Sequence, residues 1–148
     1  MTEKENKSYQ KCLDKAFLLL AIRMQTEHEL WEKLGKKSEK DDIFQVILRL
    51  KELGYVDDEK FTKIWVETRS KTRGPNLLRT ELIKKRVKRS IIDEVLDNYN
   101  KDKQVLAAKE VIKTKNKTIY TKEERYKKLG GLLARRGFSY EIIKIVIN

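Results

Sequence analysis

A chain of 148 residues can hold one ordinary domain or a short array of smaller modules. Charged residues make up 39% of it, far above the roughly 25% of a typical globular domain, and the net charge is +12. One Cys excludes an internal disulfide or a thiolate metal cage, one Pro and six Gly favour an all-α chain, and the longest apolar run (AFLLLAI, 16–22) is too short for the roughly 20 residues that span a bilayer.

Residues 1–12 are polar and lack the apolar core of a signal peptide. They read as a flexible lead into the folded chain, with Cys12 in a mobile stretch. A reducing cytoplasm is the natural compartment, with no membrane contact expected.

From residue 13 the chain repeats itself. Leu30, Leu78 and Leu129 are separated by 48 and 51, and the same offsets relate Leu34, Leu82 and Leu133. They also relate Ile43, Ile91 and Ile142, as well as Ile47, Val95 and Val146. The basic pair Lys36–Lys37 follows suit, returning as Lys84–Lys85 and Arg135–Arg136. Leu30/Leu34 and Ile43/Ile47 are i, i+4 pairs, each on one helical face. An earlier apolar segment opens each repeat: LDKAFLLLAI from 13, FTKIWVET from 61, VLAAKEVI from 105. The spacing therefore predicts three tandem three-helix repeats, 13–55, 56–100 and 101–148, stacked into an elongated, curved array with a shared core.

The punctuation agrees. Thr26 with Glu29 and Thr121 with Glu124 have the S/T-x-x-E form of a capping box. Pro75 suits the first turn of a helix, where its missing N–H costs nothing. Ser90 and Asp93 read as a cap and a first-turn acid. In LKELGYVDDEKF (50–61), Gly54 stops one helix and Asp57 caps the next. NKTIYT (116–121) takes up the extra residues of the third repeat as a longer loop. Phe17 and Trp65 share a repeat position and read as core; Trp31 aligns with Arg79 and reads as facing away from it.

Catalytic chemistry is hard to assemble. The glycines at 35, 54, 74, 130, 131 and 137 form no phosphate-binding loop. His28 stands without companions for a metal or a triad. Asp57 and Asp58 read as first-turn acids at the positive end of a helix rather than as an acid–base pair. No enzyme activity, metal or cofactor is expected.

The charge points elsewhere. Net charge rises from +1 over 1–56 (11 cations, 10 acids) to +3 over 57–100 (11 and 8) and +8 over 101–148 (13 and 5). Between 69 and 89 the basic residues Arg69, Lys71, Arg73, Arg79, Lys84, Lys85, Arg86, Lys88 and Arg89 face one acid, Glu81. With Arg135 and Arg136 they are the candidate contacts to a polyanion, which needs only cations able to release counterions. Few Asn or Gln accompany them, so a sequence-specific DNA reader is not indicated.

LKELGYVDDEKF, TRSKTRGPNLLRTELIKKRV (68–87) and RYKKLGGLLARRGFSYEIIKIVI (125–147) together resemble the RecX family, regulators of the bacterial recombinase RecA. The likeness spans about 13–148. It implies tandem three-helix repeats that bind in the groove of the RecA–DNA filament, mainly inhibiting recombination, ATP hydrolysis and coprotease activity in DNA repair and the SOS response. It also implies weak, sequence-independent affinity for single- or double-stranded DNA, in a chain expected to act as a monomer. The alternative is a sequence-independent DNA-binding protein that acts without RecA. The family often has Gly after the basic pair; here Gly137 keeps it, while Ser38 and Arg86 depart from it.

Overall fold

The computed structural model describes residues 2–115 and 121–148. The described residues are all-α: α1 (Glu3–Ile22), α2 (Glu27–Leu34), α3 (Lys40–Glu52), α4 (Asp58–Arg69), α5 (Pro75–Lys84), α6 (Arg89–Leu96), α7 (Lys101–Lys115), α8 (Lys122–Arg135) and α9 (Tyr140–Ile147). The expected loop at 116–120 lies outside the described residues. By contacts the chain divides into two compact units, one made of 1–61 with 85–87, the other of 62–84 with 88–148.

In the first unit α1 packs on α2 and α3, and α2 on α3. Its core is Cys12, Ala16, Leu30, Leu34, Ile43, Val46, Ile47, Leu50 and Val56. Residues 3–12 are not a flexible lead: they are the first half of α1, and Cys12 is fully buried. The reason is local. Thr2 and Glu5 form a capping box, so the helix starts at once, and Tyr9, Cys12, Leu13 and Ala16 fall on its core side at i, i+3, i+4, i+7. Trp31, expected to face away from the core, is half-buried and packs against it. Phe17, expected inside, is 38% exposed and meets the Tyr55 ring edge-on at 5.5 Å.

α3 ends as its Gly predicts. Gly54 has φ 81, its N–H donates to the Lys51 carbonyl at 3.1 Å, and the Tyr55 N–H donates to the Leu50 carbonyl at 2.9 Å. Asp57 then caps α4, accepting from the Lys60 N–H at 3.1 Å.

In the second unit α5 packs on α6, and α7, α8 and α9 pack on one another. Leu78, Leu82, Leu129 and Leu133 are all buried, as are Leu30 and Leu34 in the first unit, so the repeated leucines are the repeated core. Ile91 and Val146, at other repeated positions, are only half-buried. α6 starts at Arg89 with Lys88 at its cap and no side-chain hydrogen bond, so Ser90 lies inside the helix rather than capping it. Residue 88 aligns with Ser139, which does cap α9 through the Ile142 N–H. Tyr99 is buried, and its hydroxyl donates a forked bond to the Ser70 and Arg73 carbonyls at 2.8 and 2.9 Å, pinning the loop between α4 and α5.

One contact recurs in both units. In the first, the Thr26 hydroxyl accepts from the Glu29 N–H at 3.1 Å and donates to the Lys85 carbonyl at 3.2 Å. In the second, the Gly74 N–H donates to the Arg136 carbonyl at 2.7 Å, and the Asn76 N–H to the Gly137 carbonyl at 3.1 Å. Thr26 and Gly74 are related by the repeat offset of 48, Lys85 and Arg136 by 51. Each contact seats the turn after a basic pair on the start of a helix. The next residue takes a left-handed conformation in both, Arg86 at φ 60 and Gly137 at φ 91. Ser38, the aligned residue after Lys36–Lys37, does not.

Space at the second contact admits no side chain: a Cβ on Gly137 would lie 2.3 Å from the Leu77 nitrogen, and one on Gly74 2.4 Å from the Gly137 oxygen. Gly137→Ala is expected to lose about 3 kcal/mol of stability in urea unfolding, through backbone overlap and left-handed strain. Thr26→Val should lose about 2 kcal/mol, since it removes a cap acceptor and a buried donor together. Arg86→Gly should gain about 0.5–1 kcal/mol by relieving the left-handed strain.

Candidate polyanion-binding surface

The eleven candidate cations do not share one role. Arg73 is ion-paired with Glu81, and Arg79 with Asp93. Lys85 is turned into the first unit: its ammonium is 3.3 Å from Glu29 and 5.8 Å from the centre of the Phe61 ring, and its side chain is 21% exposed. Arg69 lies with its guanidinium 3.4 Å over the Trp65 ring. Arg136 is half-buried, its carbonyl engaged by Gly74. These five are part of the fold.

The other six are exposed. Lys71 stands on the loop before α5, Lys84 ends α5, Arg86 sits in the following turn, Lys88 and Arg89 start α6, and Arg135 ends α8. Among the described residues none of the six has a carboxylate within ion-pairing distance. Four of them, Lys84, Arg86, Lys88 and Arg89, occupy six consecutive positions, and the short turn between two helices keeps them close along the chain. Lys88 and Arg89 also stand at the N-terminal end of α6, where cations are disfavoured by the helix dipole. No acid occurs in the first turn of that helix. A cluster of like charges held at an unfavourable helix end costs stability, and an incoming anion would relieve it.

The acid that neutralises Lys85 was not singled out as functional by its sequence context beyond its capping role. Glu29 accepts from the Thr26 N–H at 3.1 Å, pairs with Arg23 and receives Lys85. Burial alone would push its carboxyl up, but Arg23, the Thr26 N–H and Lys85 outweigh that and hold it at about 2. Glu27 and Asp58 tie the same helix start further: the Glu27 N–H donates to the Asp58 carboxylate at 3.0 Å. Burial there pushes the Asp58 carboxyl up.

His28 lies 3.1 Å from Glu32 one turn on. Among the described residues no group of three or more His, Cys, Asp or Glu side chains is placed to hold a metal ion, and no helix is long and apolar enough to cross a membrane.

Because Glu29 is depressed in the folded chain, its contribution is present above the ordinary carboxylate range near 4.5 and is lost as pH falls toward about 2. Glu29→Gln should therefore cost about 1–2 kcal/mol at pH 7, with the gap to the parent closing between pH 4.5 and pH 2 in denaturant titrations.

Comparison with known proteins places this chain in a family. A model of the second three-helix domain of RecX matches residues 57–96, and one of the third three-helix domain matches 102–147. The regulatory protein RecX of Clostridium tetani is 33% identical over 149 residues, covering 97% of this chain and 69% of that protein. That of Geobacillus thermodenitrificans is 34% identical over 142 residues, covering 93% of this chain and 53% of that protein. The chain thus spans between about half and two thirds of the length of these relatives. A crystal structure of RecX from Lactobacillus salivarius shares the fold at a TM-score of 0.83, with 24% identity and 96% of each chain covered. A second RecX crystal structure gives 0.85 at 21% identity, covering 99% of this chain and 79% of that one. With all-α three-helix modules, the recurring turn contact and relatives matched along nearly the whole sequence, the chain belongs to the RecX family of regulatory proteins.

Proposed function

We propose that this protein is a non-enzymatic regulator of the RecA recombinase. It binds in the groove of the RecA–DNA filament and restrains recombination, ATP hydrolysis and coprotease activity during DNA repair and the SOS response. The reading places it in the bacterial cytoplasm as a monomer, with 13–55, 56–100 and 101–148 as its three repeats. Family membership supports the recombinase as partner. The observation that supports the mode of binding is the set of exposed cations at Lys84, Arg86, Lys88 and Arg89, with Lys71 and Arg135. A nucleoprotein filament presents phosphates, and cations without internal partners can meet them at little cost in broken ion pairs.

The same cations favour a second reading, sequence-independent binding to DNA without RecA. Salt separates the two. Phosphate contacts alone lose affinity steeply, with a slope of about 0.9 per contact on logarithmic axes, whereas a protein interface keeps part of its affinity.

The test is DNA-stimulated ATP hydrolysis by the cognate RecA filament at sub-stoichiometric ratios of this protein. Hydrolysis should fall. The combined variant Lys84→Ala, Arg86→Ala, Lys88→Ala, Arg89→Ala should need about tenfold more protein for the same effect, while Arg79→Ala stays within about twofold of the parent. Unchanged hydrolysis together with tight, salt-sensitive binding to naked DNA would overturn the filament reading.

A further inference from the structure

The second unit contains a cavity of about 520 Å³ that Lys84, Arg86, Lys88 and Arg89 do not line. It is lined by the loop after α4 and by α7, with Tyr99 and Arg136. Its floor is apolar: Leu106, Ala107 and Val111 from α7, beside the buried Tyr99 ring. Leu106 is the unusual member. It is 66% exposed, although Ala107, Ala108, Val111 and Ile112 of the same helix are buried. A large aliphatic side chain left open at the floor of a concavity is available for burial by something else.

The rim is cationic. Lys71, Lys103, Lys115 and Arg136 surround the opening against one acid, Glu110. The Lys103 ammonium bonds the Asn98 carbonyl at 3.3 Å but has no carboxylate partner among the described residues. Tyr99 fixes the loop side of the cavity through its bonds to Ser70 and Arg73, so the walls are held before any ligand arrives.

We propose that this groove is a docking site for an acidic peptide segment of a protein partner, anchored by one or two large apolar side chains on Leu106, Ala107 and Val111. Charge complementarity selects the occupant: four cations to one acid at the rim ask for carboxylates, and the floor asks for an aliphatic or aromatic anchor rather than a solvated phosphate. The volume suits one or two such side chains. The assignment does not rest on the filament reading: of the six exposed cations that support that reading only Lys71 lines the cavity, and Lys84, Arg86, Lys88 and Arg89 do not.

Fluorescence anisotropy of the full chain tests it with three labelled probes. They are a 12-residue Asp/Glu peptide with a central Phe-Leu pair, the same peptide with Ser-Ser at the centre, and a 12-nucleotide single strand. The Phe-Leu peptide should bind at least tenfold more tightly than the Ser-Ser peptide. Leu106→Ser should remove about tenfold of that affinity with the helical circular dichroism unchanged. Glu110→Gln should strengthen binding two- to threefold, a gain that misfolding could not produce. Equal binding of the two peptides, or no response to Leu106→Ser, would overturn the proposal. So would a Leu106→Ser loss confined to the single strand, which would make the groove a nucleic-acid surface.

Discussion

The structure depends on the seating of a turn carbonyl on the start of a helix. A helix start presents amide N–H groups that lack partners within the helix. In the first unit Thr26 fills one of these needs with its hydroxyl oxygen and donates a hydrogen bond from the same hydroxyl to the Lys85 carbonyl. In the second unit there is no intermediary: Gly74 and Asn76 donate directly to Arg136 and Gly137. Both versions need the receiving backbone to approach closely and the turn to reverse through a left-handed residue, Arg86 or Gly137. Where a side chain intervenes, as at Thr26, Arg is tolerated at that residue; where backbone meets backbone, only Gly fits.

This constraint explains why the turn recurs at the repeat offset, and why recurrence of its basic pair is not the same as function. The carbonyls of Lys85 and Arg136 are the acceptors, a task any residue can perform. Lys85 then adds a side-chain role, reaching Glu29 at the same helix start that its carbonyl engages. The adjacent Lys84, Arg86 and Arg135 share the turns without sharing the burial. One short stretch thus carries both a structural cation and the exposed charges on which the proposed filament contact relies. Charge removal across the whole stretch would confuse the two; removal by position separates them.

Much of the fold was legible in the sequence because it was written in spacing. The leucines at 30, 34, 78, 82, 129 and 133 and the boxes at Thr26 and Thr121 predict core and helix starts that the structure contains. The first helix was misjudged at its start. Its polar composition concealed a third box at Thr2–Glu5 and a core face whose members, Tyr9, Cys12 and Ala16, are small or partly polar. Ser90 misled because a capping residue type directly after a basic run looks like a start, while the cap position of α6 is Lys88, two residues earlier. The site was less legible. Sequence counts cations but does not say which have acids across the fold: Glu81, Asp93 and Glu29 lie 8, 14 and 56 residues from Arg73, Arg79 and Lys85. Aromatic order also escaped it, since Phe17 is partly exposed and Trp65 lies under Arg69.

Amide hydrogen exchange at Gly74 and Asn76 tests the turn-on-helix account most directly. If these N–H groups are held by the Arg136 and Gly137 carbonyls, they should be strongly protected despite lying at a helix start. Their exchange should then track that of Phe138 across a denaturant series, because both sides open in one event. Exchange of Gly74 and Asn76 at the rate of an exposed loop, while Phe138 remains protected, would contradict the account.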